Sequence, residues 1–91
     1  MYISVIHKIS DTNKFWEICQ KEIPNLPSHI LLHHVFPDKN MELCICLWEA
    51  DSIKDMREYL DSILQNVCEN EYMQVNEEFN MGLPKSKFAV K

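Results

Sequence analysis

Histidine and cysteine side chains are concentrated in two neighbouring stretches of the chain, and these residue types can bind a transition metal or transfer a proton. Three of the four histidines lie within residues 29–34, and two of the four cysteines are Cys44 and Cys46. Imidazole and thiolate groups suit nickel, zinc and copper, and a site needs three or four of them at about 2.0 to 2.3 Å from the ion. The candidate metal ligands are His7, His33, Cys44 and Cys46.

Whether these four side chains converge depends on how the strands that carry them are paired. Successive side chains of a strand point to opposite faces, so His33 and His34 are not expected to form a two-ligand clamp. A shift of the pairing by one residue exchanges the two histidines between the faces. The sequence contains no metal signature with firm ligand spacing, and a free cysteine is often a small buried apolar residue. A structural core role for Cys44 and Cys46 is therefore the alternative.

The same histidines also fit a small-molecule site, because imidazole titrates near neutral pH and acts as a general acid or base. In that interpretation Glu49 orients one of the two histidines or acts alone, and Tyr2, Trp48 and Tyr72 supply the walls of the site. The alternative for Glu49 is a solvated carboxylate beside a helix start. A ligand site of this kind requires a cavity of roughly a few hundred Å³ that contains His7 or His33. The expected ligand-binding residues are His7, His33, Trp48, Glu49 and Tyr72.

Hydrophobic periodicity and turn residues predict the elements that position these groups. The predicted elements are a strand over 2–8, a helix from a cap at Ser10 or Asp11 to Glu22, strands over 29–36 and 43–48, a helix from a cap at Asp51 or Ser52, and a strand over 71–76. Residues 37–40 carry turn chemistry, which favours a hairpin between the second and third strands. The order βαββαβ predicts an α+β, ferredoxin-like domain over residues 1–78, with an antiparallel four-stranded sheet and two helices on one face.

The sheet face opposite the helices is expected to be too apolar to contact water. We expect it to carry Cys44, Cys46, Trp48 and apolar groups of the second strand, a larger patch than monomers normally expose. A second copy packing sheet against sheet covers this patch and forms a homodimeric α/β barrel. Residues 79–91 are too apolar for a solvated tail, and we expect them to cross onto the partner subunit. The alternative is that this segment folds back on its own subunit.

Two short stretches of the chain resemble a known family. The run Leu32-His33-His34-Val35-Phe36 and the junction Cys46-Leu47-Trp48-Glu49-Ala50 look like the small nickel-binding ferredoxin-like proteins of the dimeric α/β-barrel superfamily. The similarity covers roughly residues 2–76. The family pattern has a histidine on strand two, then a cysteine, an acidic residue and an alanine at the junction, and the matching residues are His33, Cys46, Glu49 and Ala50. Many relatives have a histidine in the second helix, where this chain has Tyr59.

Composition narrows the class of partner. The 91 residues are 46% hydrophobic and 25% charged, which is typical of one folded domain. The net charge is −5 and no Lys/Arg cluster is present, so nucleic acid is not an expected partner. No apolar run approaches the roughly 20 residues that span a bilayer, and no export signal is recognisable. We therefore expect no membrane partner, a cytoplasmic location and reduced cysteines.

Three classes of function remain open. The first is a dimeric barrel that binds a small ligand or a transition metal, with nickel implied by the family resemblance. The second is a small cofactor-independent enzyme of the monooxygenase or isomerase type that acts on an apolar organic substrate, since the superfamily includes such enzymes. The third is a non-catalytic interaction dimer, which predicts a closed, dry interior and no histidine with a shifted pKa.

Overall fold

A computed structural model describes residues 1–88 and shows one antiparallel sheet with two α-helices on one of its faces. The elements are β1 (Tyr2–Ile9), α1 (Thr12–Glu22), a 3-10 turn (Ile23–Asn25), β2 (Ile30–Pro37), β3 (Leu43–Ala50), α2 (Ile53–Ile63) and β4 (Cys68–Gln74). The strand order across the sheet is β2-β3-β1-β4. This arrangement confirms the predicted α+β, ferredoxin-like βαββαβ fold.

Each α-helix begins at a side chain that caps its first turn. The carboxylate of Asp11 accepts a hydrogen bond from the Lys14 amide at 3.1 Å, and the hydroxyl of Ser52 accepts one from the Asp55 amide at 3.1 Å. These bonds satisfy amides that have no partner within the helix. The caps therefore fix where both helices start, as the sequence predicts. The fully buried helix residues are Phe15, Met56 and Leu60.

The hydrophobic core lies between the helices and one face of the sheet. Cys44, Cys46 and Trp48 of β3 belong to this core, with no more than 4% of each exposed. The expectation that these three residues lie on the uncovered face is therefore wrong. The residues that alternate with them, Leu43, Ile45 and Leu47, point to the uncovered face instead, because side chains of a strand alternate between faces. We call this uncovered side of the sheet the open face.

A bulge interrupts β2 at His33. Leu32 pairs with Trp48 and His34 pairs with Leu47, so His33 is an extra residue without an opposite partner. The extra residue resets the alternation, and His33 and His34 both lie on the open face, with ring centroids 6.4 Å apart. The expectation that the two histidines point to opposite faces is wrong, because it assumed an uninterrupted strand.

The chain after β3 differs from the prediction in where the last strand lies. β4 begins at Cys68 and ends at Gln74, whereas the weak alternation predicted residues 71–76. The first residues of this edge strand include Glu69 and Glu71, which are exposed, so hydrophobicity alone does not reveal its start. In the part of the chain from residue 1 to 88, no helix combines the length and the apolar character needed to cross a membrane.

Residues 76–88, which we call the C-terminal arm, return from β4 to the open face. Residues 84–88 lie across one end of that face and contact Tyr2, Leu32 and Glu49 of the same chain. This placement matches the alternative in which the segment folds back on its own subunit. Crossing of residues 79–91 onto a partner subunit stays a prediction, and its last part, residues 89–91, lies outside the described residues.

Candidate functional site

The structure divides the expected site residues between the two faces of the sheet. His7, Trp48 and Tyr72 point toward the helices, because each pairs with a core residue of the neighbouring strand. His33 and Glu49 lie on the open face and contact each other directly. One pair of the five expected ligand-binding residues is therefore brought together, and the other three belong to the core side.

The four expected metal ligands are divided in the same way. His7, Cys44 and Cys46 lie on the helix side of the sheet, and His33 lies on the open face. Within residues 1–88 no group of three or more His, Cys, Asp or Glu side chains is arranged to hold a metal ion. The condition for a shared site, that all four side chains point to one face, is not met because strand alternation and the bulge separate them.

The four cysteines pack as free thiols in and around the core. The sulfur atoms of Cys44 and Cys46 are 3.8 Å apart, and both residues are free cysteines. Burial raises the pKa of Cys19 to about 11 and that of Cys68 to about 12. Thiols with such pKa values carry almost no thiolate at neutral pH, and thiolate is the form that attacks electrophiles. The contact between the two core sulfurs raises the pKa of Cys46 and lowers that of Cys44, so the core role of Cys44 is supported by its complete burial and not by its pKa. This environment is typical of the structural core role.

His7 lies at the buried end of a polar network that joins the sheet to α2 and reaches the surface at Asp61. Its Nδ1 donates to Asn70 Oδ1 at 2.6 Å, and the Asn70 amide donates to Asp61 at 3.0 Å. The Tyr72 hydroxyl donates to the same Asp61 oxygen at 2.6 Å. Burial lowers the pKa of His7, and the hydrogen bond to Asn70 only partly opposes this effect. His7 is therefore neutral at physiological pH and serves as a hydrogen-bonded core residue.

The space between the helices and the sheet is nearly filled. A cavity of about 20 Å³ lies there, with His7, Cys46 and Trp48 among the residues that line it. Such a cavity accommodates about one water molecule. It is far smaller than the roughly 300 to 1,000 Å³ typical of sites for small organic molecules. The helix side of the sheet is therefore closed, although it does contain a histidine with a shifted pKa.

Glu49 is the centre of the polar contacts on the open face. Its carboxylate accepts hydrogen bonds from His33 Nε2 at 2.9 Å, from the Lys87 amide at 3.1 Å and from the Ser86 hydroxyl. The side chains of His33 and Glu49 are only 2% and 6% exposed. Two of the three donors belong to the C-terminal arm, so the arm covers the pair and is bound by it.

The contacts around Glu49 keep its charge in a site that excludes water. Burial alone raises the pKa of Glu49, but the hydrogen bonds from Ser86, His33 and Lys87 outweigh burial and hold it below its ordinary value. Tyr2 packs on this pair, with its ring centroid 5.4 Å from that of His33. Burial and the nearby Glu49 carboxylate raise the pKa of Tyr2. The Tyr2 hydroxyl is therefore neutral and donates to the Pro84 carbonyl at 2.7 Å.

Serine, histidine and glutamate are together here, but their order differs from that of a nucleophilic site. In such a site the hydroxyl donates to the imidazole, which then accepts its proton as a general base. Here the Ser86 hydroxyl donates to the Glu49 carboxylate, and His33 donates to the other oxygen of the same group. The geometry does not activate Ser86. It binds the arm to the sheet through one charged acceptor.

Sequence reasoning identified His33 and Glu49 but not the residues of the arm that bind them. Pro84, Ser86 and Lys87 occur in no recognisable motif, and the only signal for this segment is the apolar character of residues 79–91. Searches against protein-family models, curated proteins and solved structures found no match for the chain. The resemblance to nickel-binding ferredoxin-like proteins therefore stays a prediction.

Proposed function

We propose that the protein is a non-catalytic interaction domain that forms a homodimer through the open face of its sheet. The observation that carries this proposal is the concentration of exposed apolar side chains on that face. Four large apolar residues there have between 42% and 62% of their surface exposed: Phe36, Leu43, Ile45 and Met73. Monomeric proteins rarely leave so continuous an apolar patch in water.

The area of the open face fits a second copy of the chain. Four strands of seven or eight residues, spaced about 4.8 Å apart with a rise of about 3.3 Å per residue, give a face of roughly 500 Å². Two such faces bury roughly 1,000 Å² together, which is about the lower limit for a stable and specific interface. A sheet face is also self-complementary under a two-fold axis, as a homodimer requires.

The charges on the open face permit this association. Although the chain carries a net charge of −5, the positive charge of Lys8 lies on this face, where Lys8 pairs with Glu69 of β4. Lys8 and Glu71 form an ion pair at 2.8 Å. The third carboxylate of this face, Glu49, is buried, hydrogen-bonded to His33 and covered by the arm. Among the described residues of this face, Glu69 is the exposed carboxylate outside an ion pair, and it lies on the edge strand β4.

The packing on the helix side supports an interaction role over a ligand-binding role. The cavity of about 20 Å³ leaves no room for an organic substrate, and the histidine in its lining is hydrogen-bonded to Asn70 through Nδ1. The expected ligand groups for a metal lie on opposite faces. The closed interior and the separated ligand groups favour the third class of function that the sequence left open, whereas the lowered pKa of His7 departs from what that class predicts.

A matched pair of charge substitutions tests the proposal. Ile45→Lys places a charge at the centre of the open face, where 48% of Ile45 is exposed, and Ile23→Lys places the same charge on the helix side, where 37% of Ile23 is exposed. Burying an unpaired ammonium in an interface costs several kcal/mol, roughly a thousandfold in affinity. We expect Ile45→Lys to be a monomer by light scattering and Ile23→Lys to remain a dimer. Equal masses for the two variants contradict the proposal.

A further inference from the structure

We infer that the C-terminal arm is exchanged between the two copies of the dimer, so that Glu49 of one copy binds Ser86 and Lys87 of the other. This inference rests on the proposed dimer and adds a residue-level site that is completed by the second copy. The contacts within one chain show what the site recognises. It is an extended segment that presents a backbone amide and a hydroxyl to a buried carboxylate.

The contacts that hold the arm are confined to its end. Besides the two bonds to Glu49, the Pro84 carbonyl accepts from the Tyr2 hydroxyl at 2.7 Å. The Lys87 ammonium donates to the Leu32 carbonyl at 2.8 Å. These groups form a small recognition site for residues 84–87 at one end of the open face. The site contains no group that requires the segment to come from the same chain.

Residues 76–83, the part of the arm before this anchor, form hydrogen bonds among themselves. Asn76 accepts from the amides of Glu78 and Phe79 at 2.8 Å, and Asn80 accepts from the Leu83 amide at 3.3 Å. Within residues 1–88, none of the hydrogen bonds of residues 76–83 reaches the sheet. Gly82 adopts a φ of +93° and nothing lies within 4 Å of the position of a Cβ there. This stretch can therefore be redirected without loss of a hydrogen bond to the sheet.

The same stretch carries apolar side chains that its own chain leaves in water. Phe79 is 78% exposed and Met81 is 103% exposed. An arm that passes from one copy to the other places these side chains between the two subunits, next to the apolar open faces. Exchange thus accounts for apolar residues in a connecting segment, which otherwise favours polar ones.

The area of the interface favours exchange as well. Two open faces alone provide roughly 1,000 Å², which is the lower limit for a stable dimer. Two exchanged arms add their own contact surface and bring the interface toward the standard size of about 1,600 Å². Because the exchanged contacts are the same as those made within one chain, the exchange creates new contact area without breaking an anchor.

Two full-length variants with opposite defects test the exchange. Ser86→Ala/Lys87→Pro removes the hydroxyl and the amide that the arm donates, and Glu49→Gln removes the charged acceptor. With exchanged arms, a homodimer of either variant has no intact anchor. The mixed dimer has one, because the unchanged arm of the Glu49→Gln chain binds the unchanged Glu49 of the Ser86→Ala/Lys87→Pro chain. We expect each variant alone to dimerise at least about tenfold more weakly than the unmodified chain, since hydrogen bonds to a charged group are lost. An equimolar mixture contains more heterodimer than random pairing gives, measured by native mass spectrometry of differently tagged chains.

The outcomes separate the two proposals. A random distribution of dimers in the mixture contradicts arm exchange and leaves the sheet-face dimer intact. A monomeric unmodified chain contradicts both. Circular dichroism checks that each variant is folded. If Glu49→Gln does not fold, Tyr2→Phe replaces it, because this change removes only the hydroxyl that binds Pro84.

Discussion

At the scale of single residues, Glu49 determines how the open face is organised. One carboxylate accepts bonds from His33, Ser86 and Lys87, and it is almost fully removed from water. The residue types in the sequence indicated that Glu49 orients one of His7 and His33 or acts alone, and the structure places His33 in contact with it. Their partners in the arm are more than 35 positions away in the chain, and no local pattern predicts so distant a contact.

Replacement of Glu49 tests the weight of this carboxylate. Glu49→Gln keeps the shape but removes the charge that three donors share, and we expect the free energy of unfolding to fall by about 2 kcal/mol. Ser86→Ala removes one donor and is expected to cost about 1 kcal/mol. Urea unfolding measures both. The control is Glu69→Gln, an exposed change on the same face that should alter stability by less than about 0.5 kcal/mol. Equal losses of unfolding free energy for Glu49→Gln and Glu69→Gln contradict the stabilising role of the Glu49 carboxylate.

His7 makes the stability depend on pH near neutrality. Burial lowers the pKa of His7 in the folded state, so the unfolded chain binds the proton more readily. The contribution of neutral His7 to the free energy of unfolding is complete above its ordinary pKa of 6.5. This contribution is lost as the pH falls below 6.5 toward the lower pKa of the folded state. We expect stability to decrease by at most about 1.4 kcal/mol per pH unit from this group. Unfolding measured from pH 8 to about pH 5 should show a smaller slope for His7→Gln than for the control His34→Gln, whose histidine is exposed. A slope unchanged by His7→Gln argues against a neutral buried His7.

At the scale of elements, the sequence predicts what depends on local spacing and misses what depends on an irregularity. The caps Asp11 and Ser52 and the apolar faces of the helices are local features, and both helices begin as predicted. The bulge at His33 has no glycine or proline to mark it, so the faces of His33 and His34 are not readable from alternation. The start of β4 is hidden in the same way, because its side chains are largely polar.

The cap of α2 provides a prediction at this scale. Ser52→Ala removes the hydroxyl that accepts from the Asp55 amide, and we expect a loss of about 1 kcal/mol of unfolding free energy. Ser62→Ala in the same helix removes an exposed hydroxyl and should be neutral or slightly stabilising, since alanine is the better helix former. Thermal unfolding by circular dichroism compares the two variants. Equal unfolding temperatures for the two variants would show that the cap contributes no stability.

At the scale of the whole molecule, the sequence predicts an apolar open face but assigns it the wrong residues. Cys44, Cys46 and Trp48, expected on the open face, fill the core. The alternate residues of β3, Leu43, Ile45 and Leu47, lie on the open face instead. β3 is apolar on both sides, so composition alone does not decide which side the helices cover. The packing of the helices decides it, because Phe15 of α1 and Met56 and Leu60 of α2 belong to the same buried cluster as the core residues of β3.

A second copy of the chain is the proposed cover of the open face, and the mass of the unmodified chain in solution decides whether this cover forms. Sedimentation equilibrium from nanomolar to roughly 100 micromolar protein should yield a reversible transition to twice the mass of one chain, with a dissociation constant at or below the micromolar range. A single-chain mass throughout that range contradicts the account.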